Sequence, residues 1–125
     1  MVPEDKHDLD AANAAVRAGY PAVEPVLDEL TEWLQDYNWP VADILAPFLA
    51  SIGKPMIPRI DHVFSTDDDI WKYWMISCLI KKNRDLFKHY KPLLIRIATS
   101  PTENEKREEL DEVARDALDE NGYQL

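Results

Sequence analysis

Residues 65–82 read Ser65-Thr66-Asp67-Asp68-Asp69-Ile70-Trp71-Lys72-Tyr73-Trp74-Met75-Ile76-Ser77-Cys78-Leu79-Ile80-Lys81-Lys82. The opening hydroxyl and carboxylate side chains form an N-cap cluster, suited to accepting from the free N–H groups at a helix start. Beyond them Ile70, Trp71, Tyr73, Trp74, Met75, Ile76, Cys78, Leu79 and Ile80 leave almost no polar face. A helix over about 68–82 that is apolar nearly all round has to be surrounded by protein. The segment therefore predicts a helical domain with this helix at its middle. Its apolar run is far too short to cross a bilayer, which takes roughly 20 residues.

Outward from this centre the helical period continues in both directions. Leu86, Phe87, Tyr90, Leu93, Leu94, Ile97 and Ala98 outline the next helix, with Pro92 as an expected kink. After it, Thr102 and Glu105 have capping-box spacing, and Leu110, Val113, Ala114, Ala117 and Leu118 form the stripe of one helix ending at Asn121-Gly122. Toward the N-terminus, Pro55 and Pro58 bracket the start of a short helix whose inward residues are Met56, Ile57, Ile60, Val63 and Phe64. Pro40 opens the helix before that. Its stripe is Val41, Ile44, Leu45, Phe48, Leu49 and Ile52, its stop is Gly53, and Pro47 should kink or split it. Val23, Val26, Leu27, Leu30 and Leu34 mark a helix to about Asp36, with Pro21 at its first position and Pro25 in its first turn. Leu9, Ala12 and Val16 mark a first helix stopped by Gly19.

No segment alternates with the period of a half-buried strand. The expected fold is all-α, about seven helices in antiparallel pairs joined by short connections, in one domain spanning residues 1–125. Asn38-Trp39-Pro40-Val41-Ala42 and Asp69-Ile70-Trp71-Lys72-Tyr73-Trp74 echo each other at helix starts one pair apart. Such an echo suggests a HEAT-like helical repeat, with an irregular helical bundle as the alternative.

The 125 residues carry 24 Asp and Glu against 14 Lys and Arg, a net charge of −10. That balance argues against nucleic acid and against anionic membranes as partners. With 46 % hydrophobic residues, acidity does not imply disorder. The charge is uneven: residues 1–36 sum to −7, 37–66 to zero, 67–100 to +3 and 101–125 to −6. A single cysteine, Cys78, leaves no disulfide framework and no cysteine-based zinc site. The polar, acidic start Met1 to Asp8 lacks the pattern of a secretory signal, so a cytoplasmic protein is expected.

Catalytic signatures are lacking. There is no Gly-x-Ser-x-Gly, Walker loop or dinucleotide fingerprint. Asp67, Asp68 and Asp69 lack the alternating oxygen ligands, mid-loop glycine and closing glutamate of a calcium loop. They read better as one N-cap and two carboxylates at the positive end of a helix. His7, His62 and His89 have no helical zinc spacing, and Cys78 on an apolar helix reads as a small core residue. Lys81, Lys82, Arg84, Lys88 and Lys91 surround one turn, where they complement a helix C-terminus or bind an anionic group. Trp33, Trp39, Trp71 and Trp74 are either packing residues or, beside their acidic neighbours, an aromatic–acidic groove for an Arg- or Lys-bearing partner.

Four blocks taken together, Val2 to Leu9, Trp33-Leu34-Gln35-Asp36 with Asn38 to Ala42, Asp67 to Trp74, and Pro101 to Lys106, resemble the signature of a small bacterial family known only as a domain of unknown function. The resemblance covers nearly the whole chain and implies an all-α, HEAT-like fold with no established activity. It directs attention to Asp5, Lys6, Asp8, Asn38, Trp39, Asp67, Asp68, Asp69, Trp71, Lys72 and Trp74, as surface site or buried network. The expected function is a non-enzymatic protein–protein interaction module, with no cofactor or metal and another protein as partner, a basic one being the concrete sub-case. The runner-up is a hydrolase-like enzyme using Asp5, His7 and Asp67 to Asp69 with a bound cation. A structural homo-oligomer is the third reading.

Overall fold

The computed structural model describes residues 2–125, and every regular element among them is helical. Helix α1, Leu9–Ala18, is capped by Asp8 and ends at Gly19, whose φ of 73° suits a residue without Cβ. Its buried face is Ala12 and Ala15, while Leu9 and Val16 stay 41 % and 39 % exposed. The expected Leu9/Ala12/Val16 face is therefore corrected to one made by Ala12 and Ala15. Two alanines allow α1 to lie close against α3, Pro40–Ile52.

Between them, Pro21 does not begin a helix. It lies in a turn closed by Val23 N–H to Gly19 O at 3.1 Å and Glu24 N–H to Pro21 O at 3.0 Å. A 3₁₀ turn over Glu24–Val26, with Pro25 in its first positions, leads into α2, Leu27–Glu32. A second 3₁₀ turn, Trp33–Gln35, completes the run to Asp36. Helix α3 runs unbroken through Pro47, which is exposed, so the carbonyl it leaves unbonded at Asp43 faces water. A 3₁₀ turn at Lys54–Met56 then gives α4, Ile57–Phe64.

Helix α5, Asp69–Trp74, does not continue as an α-helix to Lys82. It widens into π-helix over Met75–Ile80, with Lys81 N–H reaching back five residues to Ile76 O at 2.9 Å. Met75, Ile76, Leu79 and Ile80 are fully buried, as expected for the central element. Helix α6, Arg84–Thr99, also passes its exposed Pro92 without a break.

The expected last helix is two. Helix α7, Glu103–Arg107, and α8, Leu110–Glu120, are separated at Glu109, which holds a left-handed φ of 61°. The division lets α7 present Glu105 to Arg96 while α8 lays its apolar stripe along α6.

The buried residues from Ala12 to Leu118 form one continuous cluster. The most extensive packing joins helices two apart in sequence: α1 with α3, α3 with the π-helical part of α5, and α6 with α8. Asn83 ties two of these layers. Its amide donates to Ala50 O at 2.8 Å at the end of α3, and its carbonyl accepts from Leu86 N–H at 3.1 Å in the first turn of α6. A Cβ on Gly53, itself at φ +77°, would meet that amide at 3.2 Å. No single helix among the described residues is long and apolar enough to cross a membrane.

Candidate functional site

The N-terminal block is a self-contained cap. Asp8 accepts from Ala11 N–H at 3.2 Å with one oxygen and from Glu4 N–H at 3.0 Å with the other. Asp5 accepts from His7 N–H at 2.8 Å. The Lys6 carbonyl accepts from Val41 N–H at 3.1 Å, fastening the block to the start of α3. Exposed Asn38 donates its backbone N–H to Asp36 at 2.8 Å.

The aspartate run serves the start of α5. Asp68 is the N-cap, accepting from Trp71 N–H at 3.0 Å, and Asp69 pairs with Lys72 at 3.0 Å. Asp67, Asp68 and Asp69 border a cavity of about 260 Å³ with Ile70, Asn104, Arg107 and Glu108. Among the described residues no three His, Cys, Asp or Glu side chains are arranged to hold a metal ion. The hydrolase-like expectation therefore finds no donor set for its cation.

The tryptophans take different surroundings. Trp39 packs edge-on to Trp33 with ring centroids 5.6 Å apart. Trp74 stacks on Tyr37 at 5.3 Å. Trp71 is 6 % exposed, with His62 edge-on at 6.4 Å. Trp71 and Trp74 border two different cavities, so they do not line one shared groove.

The cavity beside Trp71 measures about 460 Å³ and lies between α2 and α4. Helix α2 supplies Asp28, Thr31 and Glu32, helix α4 supplies Pro58, Arg59 and His62, and Trp71 enters from α5. Arg59 is held in place by Glu24 and Asp28, each at 2.8 Å, and by Pro55 O at 3.1 Å. Burial would lower the Arg59 pKa, but the two carboxylates outweigh it and raise it, so the guanidinium stays charged. Thr31 is buried and donates to Leu27 O at 2.8 Å. The indole Nε1 of Trp71 is out of contact with water and has no hydrogen-bond partner. An unpaired buried N–H costs about 1–3 kcal/mol, and Trp71 is among the residues that border this cavity. His62, whose ring stands edge-on to that of Trp71, is exposed.

The cavity beside Trp74 measures about 470 Å³ and lies between α3 and the π-helical stretch. Its lining is mixed: Tyr37, Trp74, Ala46, Pro47 and Ala50 stand beside Ser51, Ser77, Cys78, Lys81, Lys82 and Asn83. Burial pushes the Cys78 thiol up to about 11, against the opposing pull of Lys81 and Lys82. Burial likewise raises the Tyr37 hydroxyl, helped by its hydrogen bond with Asp43.

Most of these lining residues carry no local motif in the sequence. Asp28, Thr31 and Glu32 are one turn of one helix, Arg59 and His62 one turn of another. The available signal was Thr31, a polar residue set between Leu27, Leu30 and Leu34 of an apolar stripe.

A family model described as Domain of unknown function (DUF5071) matches residues 1–118, and the chain belongs to that family. A comparison with curated proteins finds no match.

Proposed function

We propose that the chain is a non-enzymatic protein-interaction module that receives a basic side chain of its partner in the cleft between α2 and α4. The observation that carries this is a 460 Å³ cavity bordered by Asp28, Glu32 and Trp71, whose indole N–H is buried without a partner. A peptide segment answers both features. Its backbone carbonyl accepts from the indole once His62 turns aside, and its ammonium or guanidinium head meets Glu32 and the free oxygen of Asp28. Glu32 forms no ion pair within the described chain, so its charge is available. The net charge of −10 supports faster encounter with a basic partner. The packing of helices two apart in sequence supports a HEAT-like stack, an architecture suited to such surfaces. A cytoplasmic setting fits a chain whose one thiol is unpaired.

Titration of the isotope-labelled protein with N-acetyl-arginine amide and N-acetyl-lysine amide, against N-acetyl-norleucine amide, tests this. The Trp71 indole resonance should move with the two basic compounds and stay still with norleucine. Glu32→Gln should weaken the basic compounds about threefold to fivefold, a loss of ~1 kcal/mol typical of one accessible charge pair. Equal responses to all three compounds, or none at millimolar concentration, would overturn the assignment.

A further inference from the structure

The geometry points to a second binding site: the cleft between α3 and the π-helical part of α5 takes a small arylalkyl carboxylate. Its ring would lie against Tyr37 and Trp74, and its carboxylate would meet Lys82.

The cavity, about 470 Å³, is within the range of preformed small-molecule sites, which are mostly apolar with a few placed polar groups. Tyr37 and Trp74 form a stacked pair, 5.3 Å between centroids and 30° between planes, and both rings border the cavity. Ala46 and Ala50, also on its lining, add little side-chain bulk. The π-helical turn is wider than an α-turn, and such stretches are frequent at functional sites.

Charge selects the sign of the ligand. Lys81 is committed, pairing with Asp116 at 2.8 Å and Glu120 at 2.6 Å. Lys82, next to it at the mouth of the cleft, is exposed and has no ion-pair partner among the described residues. The acids around the cleft are engaged elsewhere: Asp116 and Glu120 pair with Lys81, and Asp43 is hydrogen-bonded with the Tyr37 hydroxyl. A lone lysine beside an aromatic wall favours one carboxylate on an aromatic body over a bare phosphate, which would leave the apolar walls wet.

The cleft is separate from the one bordered by Trp71, so this assignment stands or falls independently of the basic-side-chain reading. The experiment titrates the full chain with 3-phenylpropionate, with the neutral 3-phenylpropanol and with inorganic phosphate, read by heteronuclear NMR. The carboxylate should shift Trp74, Ser77 and Lys82 together, with the alcohol bound about tenfold more weakly and phosphate causing no change at Trp74. Lys82→Ala should bring the carboxylate down to the affinity of the alcohol. Ser51→Leu, at an exposed position on the rim, should fill the cleft and remove binding of both without loss of fold by near-ultraviolet circular dichroism. Equal binding of acid and alcohol, an unchanged affinity in Lys82→Ala, shifts centred elsewhere, or no shift at 10 mM, a concentration well above ordinary small-ligand Kd values, would overturn it.

Discussion

Truncating Leu79 to alanine is expected to lower the unfolding free energy by about 3 kcal/mol, the central cost of a Leu→Ala cavity in a close-packed core. Leu79 has no exposed surface and sits in the π-helical stretch. That stretch packs against α3, α6 and α8, so the lost methyl groups leave a void that several elements must close together. The same loss corresponds to roughly 10 °C in Tm for a domain of this size. Ile70→Ala, on the same helix but 53 % exposed, should stay within about 0.5 kcal/mol of the parent. Urea denaturation of both variants checks the pair. A Leu79→Ala cost no larger than that of Ile70→Ala would contradict the central place assigned to this helix.

Glu105→Ala should be next in size, at about 2–3 kcal/mol, because one buried side chain makes three separate contacts. Glu105 is 9 % exposed. Its two oxygens take the Arg96 guanidinium at 2.5 and 2.9 Å, and one also accepts from Thr102 N–H at 2.8 Å, completing the capping box. Burial would raise the Glu105 carboxyl, but Arg96 and the Thr102 contacts outweigh it and hold it below its ordinary 4.5. A carboxyl depressed in the folded state adds stability above its unfolded value and loses it as pH falls through the folded one. Glu105→Gln keeps the box but gives up the charge, so it should cost less than alanine at pH 7. Its deficit against the parent should shrink as pH falls below 4.5, followed by urea midpoints. A deficit that is the same at pH 7 and at pH 3 would remove the charge from the explanation.

The stripes of α3, α4, α6 and α8 were legible because each obeys one period over at least two turns. The capping box at Thr102 and Glu105 is present as its spacing predicts. The π-helical widening was not legible for a physical reason. Residues Met75 to Ile80 change phase midway, and on an α-helical wheel that change looks like an apolar surface all round. The break at Glu109 was hidden too, since glutamate is an ordinary helix former and nothing local marks a left-handed residue. It exists because α7 and α8 answer to different partners, Arg96 and the flank of α6. For α1, a stripe of Leu9 and Val16 outweighs alanines in any hydrophobicity count, yet close approach to α3 selects Ala12 and Ala15. The clefts were the least legible. Their walls come from segments some thirty residues apart, such as Asp28 with Arg59, and no spacing rule spans that distance.

Cys78 gives the molecule an internal clock. Its thiol is 9 % exposed, and burial pushes it up to about 11, so little of it is the reactive thiolate at pH 8. A thiol reagent will therefore act mainly when α5 opens and releases the side chain to its ordinary chemistry. The rate of labelling becomes a count of how often the centre of the fold breathes, readable from one native atom. Because Cys78 also borders the cleft by Trp74, an occupant there slows that clock without touching the sulfur itself.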